Sequence, residues 1–278
     1  MPTISAEEMK RRRDSVASTL GTHAMEGLFP DEPTLDILRR YETGELTLDQ
    51  FSEAMDAHAH SLVASHSRRR SVIQVNSGFD HDPHSQSGFP CPRNSLGITD
   101  YAELQPIETI FVLKRTEELA TRGIIGDFDS THLKTIHRYL FQDIFPWAGE
   151  FRIVNISKGN SPFGMAVHID STLTEALAKL KLERRLVDLS PHHFALRAAY
   201  YLGEINAIHP FREGNGRTQR EFLRQLALAA DYRLSWAGYS QREVVDASIA
   251  SHMRGDNTGL AAIIEAALLS SRENASQP

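Results

Sequence analysis

The residues best equipped for chemistry lie in one short segment, His209-Pro-Phe-Arg-Glu-Gly-Asn-Gly-Arg-Thr-Gln-Arg220. It follows a helical run, YYLGEINAI, and precedes another, RTQREFLRQLALAA. A Gly-Asn-Gly turn that opens a helix presents unpaired backbone N–H groups at the positive end of the helix dipole, which is an anion cradle. Gly214 and Gly216 let the backbone approach phosphate oxygens with no Cβ in the way. Arg217 and Arg220 fall three apart on the first turn and can face one anion. Glu213 offers carboxylate oxygens beside the cradle, suited to Mg²⁺ held jointly with phosphates. His209, at the mouth, suits a general base near neutral pH. Phe211 is expected to point into the core and fix the loop. A glycine C-cap followed by a basic helix explains each residue singly. Their joint occurrence at fixed offsets has a chance on the order of 10⁻¹⁰ per starting position, at about one in twenty per residue type.

The elements that must carry this segment are mostly helical. Tyr101 to Arg122 reads as one helix, with Ile107, Ile110, Phe111 and Leu119 on its apolar period. Ser130 or Thr131 caps another, through Leu133, Ile136, His137 and Leu140. GEFRIVNISKGNSPFGMAVHID changes period: Phe151, Ile153 and Val154 are strand formers, Gly159-Asn160 is a turn signal, and Met165 to Ile169 returns as a second strand. Helices are expected over 171–186, 191–206, 217–230, 241–251 and 259–269.

The first sixty residues read as a three-helix module. One helix starts after Ser5, with Val16, Leu20 and Gly27 on one face. A second carries Leu35, Leu38 and Tyr41 and ends at Gly44. A third begins with a Thr47/Gln50 capping box and buries Leu48, Phe51 and Met55. With so little apolar surface, such a module must lie on a larger body. Residues 61–95 read as an irregular linker rich in Ser, Gly, Pro and His. Its histidines, His81 and His84, lack a tight metal-ligand spacing and read as solvated loop residues. Arg68, Arg69 and Arg70 read as a solvated run.

The chain has 278 residues, 41% of them apolar and 24% charged, enough for a sizeable core. A net charge of −6 argues against coating nucleic acid through overall charge. The single cysteine, Cys91, excludes an internal disulfide framework and suits the cytosol. No apolar run approaches the ~20 residues of a membrane span. The start, MPTISAEEMKRRRD, has no secretory h-region. A cytoplasmic protein that binds neither membrane nor nucleic acid is expected.

The segment 209–220 resembles the Fic (filamentation induced by cAMP) family, whose motif reads HxFx(D/E)GNGRxxR; every specified position is met. The resemblance extends to LKTIHRYLFQDIFPWAGEFR at 133–152 and to EFLRQLALAA at 221–230, and so spans about residues 95 to 250. It implies a mainly α fold: a helical bundle with a β-hairpin flap, in residues 96–278. It also implies AMP transfer from ATP to a protein hydroxyl. His209 would deprotonate the target Ser, Thr or Tyr, and Glu213 would hold Mg²⁺. The Gly214–Gly216 backbone, Asn215 and Arg217 would cradle phosphates, with Arg220 on the γ-phosphate. The flap, about 150–168, would pair with an extended target segment, and Lys158 and Gly159 would border the nucleotide. Gly216, where Doc-type members carry Lys, favours AMP transfer over phosphorylation.

Residues 6–60 resemble the small antitoxin that accompanies some Fic toxins. The inhibitory pattern of the family, (S/T)xxxE(G/N), is matched by Thr22-His-Ala-Met-Glu26-Gly27. By resemblance, Glu26 would pair with Arg220 and occupy the place of the ATP γ-phosphate. The resemblance thus implies an autoinhibited adenylyltransferase, with DNA gyrase and topoisomerase IV as candidate targets. Alternatives are another phosphate-group transfer or removal of AMP at the same site, or a catalytically silent toxin–antitoxin component.

Overall fold

The computed structural model describes residues 4–67, 82–85, 91–158 and 161–269. His81, Arg68, Arg69, Arg70 and Gly159 lie outside the described residues. The chain divides into two compact units, one of Met1–Gly123 with Arg138–Ala148, the other of Ile124–His137 with Gly149–Pro278. Ten α-helices occur among the described residues, and none is long and apolar enough to cross a membrane.

The first unit holds α1 (Ala6–Ala24), α2 (Glu32–Glu42), α3 (Leu48–Ser67) and α4 (Tyr101–Arg122). Each start has a local cause. Ser5 accepts the Glu8 N–H, Asp31 accepts that of Thr34, and Asp100 accepts that of Ala102. The Thr47/Gln50 capping box forms in both directions, at 3.0 and 3.2 Å. Leu38, Tyr41, Phe51, Met55 and Ala59 are buried with Ile107, Ile110 and Phe111 of α4. At about 1.5–3 kcal/mol for each large apolar side chain buried, this face is what holds the short helices. Leu35 and Leu48 are only half-buried, and α3 runs on past residue 60.

Polar ties complete the packing on α4. The hydroxyls of Ser15 and Thr19 donate to the Glu117 carboxylate. Ser52 and Tyr139 donate to Glu118, which also takes Arg115; the mixture of donors holds Glu118 below the usual carboxylate range despite its burial. Arg115 forks onto Asp143 at 2.7 Å on both arms. Cys91 is buried, with its thiol 3.6 Å from the Ile98 carbonyl, and burial pushes its pKa up to about 12.

The second unit is built around α7 (Pro191–Ile208), which packs against α6 (Ile169–Leu182), α8 (Asn215–Ala229), α9 (Gln241–Arg254) and α10 (Thr258–Ala267). Ala195, Ala198 and Ala199 are fully buried and let neighbouring helices approach. Gly203 goes further: a Cβ there would stand 2.6 Å from Ser251 Oγ and Asn257 Oδ1. α5 (Ser130–Phe141) is capped by Asp129, which accepts the His132 N–H at 2.8 Å, rather than by Ser130 or Thr131.

The hairpin is shorter than the sequence suggests. β1 (Ser157–Lys158) pairs antiparallel with β2 (Ser161–Pro162), Lys158 opposite Ser161. The expected return strand at Met165–Ile169 does not form; Ala166–His168 is a 3-10 turn that leads into α6. The expected helix over 259–269 ends at Ala267, and β4 (Leu268–Leu269) pairs instead with β3 (Arg233–Leu234). Their residues are too few to show a period of two.

Candidate active site

α7 ends where the chemistry begins. His209 is its C-cap and takes a left-handed conformation, φ 50° and ψ 64°. The backbone N–H of His209 still donates to the Ile205 carbonyl. Its Nδ1 lies 3.3 Å from the Asn206 carbonyl, which can only accept. Nδ1 therefore carries the proton, and Nε2 is the basic nitrogen. The imidazole stacks on Phe163 from the hairpin, ring centroids 3.9 Å apart.

The turn after His209 is held by its own side chains. Phe211 is buried as expected. Asn215 accepts the Phe211 N–H at 2.9 Å through Oδ1 and donates to the Phe211 carbonyl at 2.7 Å through Nδ2. Both ends of the amide are thereby committed to shaping the loop. Gly214, at φ 79°, is the N-cap of α8, and Thr218 donates back to its carbonyl. A side chain at Gly214 would strain this left-handed position. Arg217 and Arg220 are buried on the first turns of α8. The Glu213 carboxylate is about one-third exposed and 3.9 Å from the Arg217 guanidinium.

Two residues outside the 209–220 segment organise this loop. His137 is fully buried and stacks on Phe211 at 3.9 Å. Its Nδ1 accepts the Gly149 N–H at 2.8 Å, so Nε2 carries the proton and donates to the Glu213 carbonyl at 3.0 Å. Arg152 is also buried, and its guanidinium donates to four main-chain carbonyls: His209, Val154, Gly164 and Ile208. Burial, with Arg212 nearby, lowers its pKa from the usual guanidinium value. Arg152 leaves only the signal of a charged residue among strand formers, in FRIV, and His137 only its place on the apolar period of α5.

Beneath α8 runs a second chain of bonds. The Phe128 N–H donates to His132 Nδ1, whose Nε2 lies 3.0 Å from Gln225 Oε1. Gln225 donates in turn to Glu221, which is forked by Arg224. Burial pushes the His132 pKa down, so the neutral ring suits this arrangement.

The remaining residues singled out in the sequence fall elsewhere. Lys158 is exposed on β1. Thr22 is buried near the end of α1, and Glu26 and Gly27 are exposed just beyond it. Gly27 is thus not on a helical face. It has φ 71°, its N–H bonds the Ala24 carbonyl, and the Leu28 N–H bonds the His23 carbonyl. This is a Schellman cap, and Leu28 is buried behind it. The requirement for Gly or Asn after the glutamate follows, because those residues best tolerate the left-handed position.

Among the described residues no group of three or more His, Cys, Asp or Glu is arranged to hold a metal ion. A partly exposed carboxylate such as Glu213 fits Mg²⁺ that takes its other ligands from phosphate and water.

Residues 127–227 match the Fic/DOC family, and residues 12–57 match Antitoxin VbhA. Protein adenylyltransferase VbhT of Bartonella schoenbuchensis is 42% identical over 184 residues, 66% of this chain and 38% of that protein. The chain therefore spans well under half of that relative's length. A probable protein adenylyltransferase Fic of Escherichia coli is 37% identical over 183 residues, 66% of this chain and 90% of that one. Among solved structures, BepC protein of Bartonella tribocorum with bound AMPPNP superposes with a TM-score of 0.62 at 24% identity, covering 68% of this chain and 97% of that one. A Fic domain from Bartonella quintana with bound ADP gives 0.63 at 24%, covering 68% and 95%. These two likenesses concern the fold.

Proposed function

The chain belongs to the Fic/DOC family, and we propose from that premise that it transfers AMP from ATP to a hydroxyl side chain of a target protein. The observation that carries the reading is the union of a basic Nε2 on His209 with a glycine-opened helix bearing Arg217 and Arg220. In this reading His209 Nε2 takes the proton of a Ser, Thr or Tyr hydroxyl. The hydroxyl oxygen forms a bond to the α-phosphorus, the bond to the β-phosphate oxygen breaks, and pyrophosphate leaves. The Gly214–Gly216 main chain and Arg217 hold phosphate oxygens, and Arg220 takes the γ-phosphate. Asn215 contributes through its main chain, since its side chain is committed to Phe211. Alignment of the α-phosphorus with the incoming oxygen is the main catalytic contribution of such a clamp. Glu213 would hold Mg²⁺, which when bound neutralises charge on the phosphates.

The hairpin at 150–168 would receive the target as an added strand, with Lys158 and Gly159 near the nucleotide. DNA gyrase and topoisomerase IV are the acceptors to test first. ATP as substrate and the single thiol suit the cytoplasm. Thr22, Glu26 and Gly27 form the brake. The helices of residues 1–60 would present Glu26 to Arg220, so that ATP could not adopt a productive pose. Residues 61–95 would connect this module to a catalytic part in 96–278.

The test is incorporation of label by the full chain carrying Glu26→Gly. Label from α-labelled ATP on a protein acceptor supports the reading. Label only from the γ position would establish a kinase, and nucleotide binding with no transfer would favour a silent toxin–antitoxin component.

A further inference from the structure

Arg152 lies outside the 209–220 segment, yet it reaches the main chain of His209. Its Nε donates to the His209 carbonyl at 2.8 Å, and one terminal nitrogen donates to the Ile208 carbonyl at 3.0 Å. These carbonyls belong to the last turn of α7, where a cation meets the negative end of the helix dipole and orphan acceptors need donors. The other contacts go to Val154, just before β1, and Gly164, just after β2, at 2.7 and 2.5 Å. One guanidinium thus joins both legs of the hairpin to the end of the helix that presents His209.

The surrounding main chain is built for this approach. The Arg152 N–H donates to the Pro210 carbonyl, and the Gly164 N–H donates to the Ala207 carbonyl. A Cβ on Gly164 would stand 3.2 Å from Ile208 Cα. Among the described residues the side-chain acceptors of Arg152 are all neutral carbonyls. A buried cation without a carboxylate is a costly way to fill space, and an apolar side chain of similar volume would pack at lower cost. What the planar fork supplies is several directed bonds from one rigid group.

We propose that Arg152 is a positioning residue that locks the hairpin legs to the His209 main chain, so that a hydroxyl docked on the hairpin meets Nε2. The proposal rests on the transferase reading above. None of these contacts involves the 213–220 cradle, so Arg152 would set acceptor geometry and not ATP affinity.

The full chain with Glu26→Gly serves as parent, and Arg152→Lys and Arg152→Ala are built on it. Arg152→Lys keeps the charge and loses the fork. Its kcat for a protein acceptor is expected to fall about 10–100-fold, with a raised KM for the acceptor and an unchanged Kd for ATP. Free guanidinium should restore part of the activity of Arg152→Ala and leave the parent unaffected. Unchanged kcat, or a loss of ATP affinity in step with transfer, would overturn the proposal. If the parent itself transfers no AMP, activity does not report on the lock, which is then judged by amide hydrogen exchange. In Arg152→Lys the Gly164 and His209 N–H groups should exchange faster while α10 stays protected. Unchanged exchange at those two amides would overturn the lock whatever the activity.

Discussion

The imidazole of His209 lies flat on the ring of Phe163, with planes 15° from parallel and centroids 3.9 Å apart. Phe163 also meets His252 at 5.3 Å, so one hairpin side chain bridges the end of α7 and the end of α9. A stacked pair of this kind contributes about 0.5–1.5 kcal/mol beyond area burial. Phe163→Ala should release the imidazole and lower kcat up to roughly tenfold, since ~1.4 kcal/mol is a factor of ten. Initial rates at saturating ATP check this. A rate increase would mean that the ring is a cover which must leave before transfer.

His209→Ala should leave nucleotide binding nearly intact and abolish transfer, because it removes the base and no phosphate contact. Loss of a general base costs typically ~10²–10⁴-fold. Calorimetric titration with ATP, run beside the labelling assay, separates the two effects. Near-full transfer by the variant would remove His209 from the mechanism.

Glu26→Gly should raise AMP transfer at least tenfold. A charge-assisted hydrogen bond is worth about 1.5–3 kcal/mol, and Arg220 would be returned to the nucleotide. The Schellman cap resides in Gly27 and Leu28 main-chain bonds, so the substitution leaves the end of α1 formed. Arg220→Ala should not mimic it, because ATP would lose the same partner. If Glu26→Gly behaves like the parent while removal of residues 1–60 activates, the helices act by bulk.

Stability should fall as pH drops below about 6.5, the unfolded-state pKa of histidine. Burial lowers the folded-state pKa of His132 below 6.5. Between the two values the unfolded chain binds more protons, so unfolding is favoured as pH falls through that window. Protonation would also oblige Nδ1 to donate where it now accepts the Phe128 N–H. Urea midpoints across this range should show a smaller slope for His132→Gln than for the parent.

Much of the architecture was readable because helix starts are local events. Ser5, and Thr47 with Gln50, announce their caps in the sequence, and Tyr101–Arg122 holds its period across Pro106, which lies in the second turn. The chemistry of 209–220 was readable because its spacing is contiguous. The hairpin forms but is shorter than its residue pattern suggests, because its extended legs spend their hydrogen bonds elsewhere. Val154 and Gly164 give their carbonyls to Arg152, Asn155 caps the Ala166 N–H, and Gly164 donates to Ala207. A period of two marks residues that can be strand; it says nothing of non-local acceptors. His137 and Arg152 escaped for the same reason: each donates to a main-chain carbonyl more than fifty residues away, that of Glu213 and that of His209.

The buried thiol of Cys91 has a practical use. The chain contains one cysteine, and its thiol, pushed up to about 12, is protonated and covered at neutral pH. Thiol-directed dyes and spin labels would therefore pass over the native protein. A cysteine introduced at exposed Lys158, or at exposed Glu26, would be the reactive one without first removing the natural residue. Fluorescence or paramagnetic probes at those two points could then follow, in solution and in real time, how the hairpin and the end of α1 respond to nucleotide.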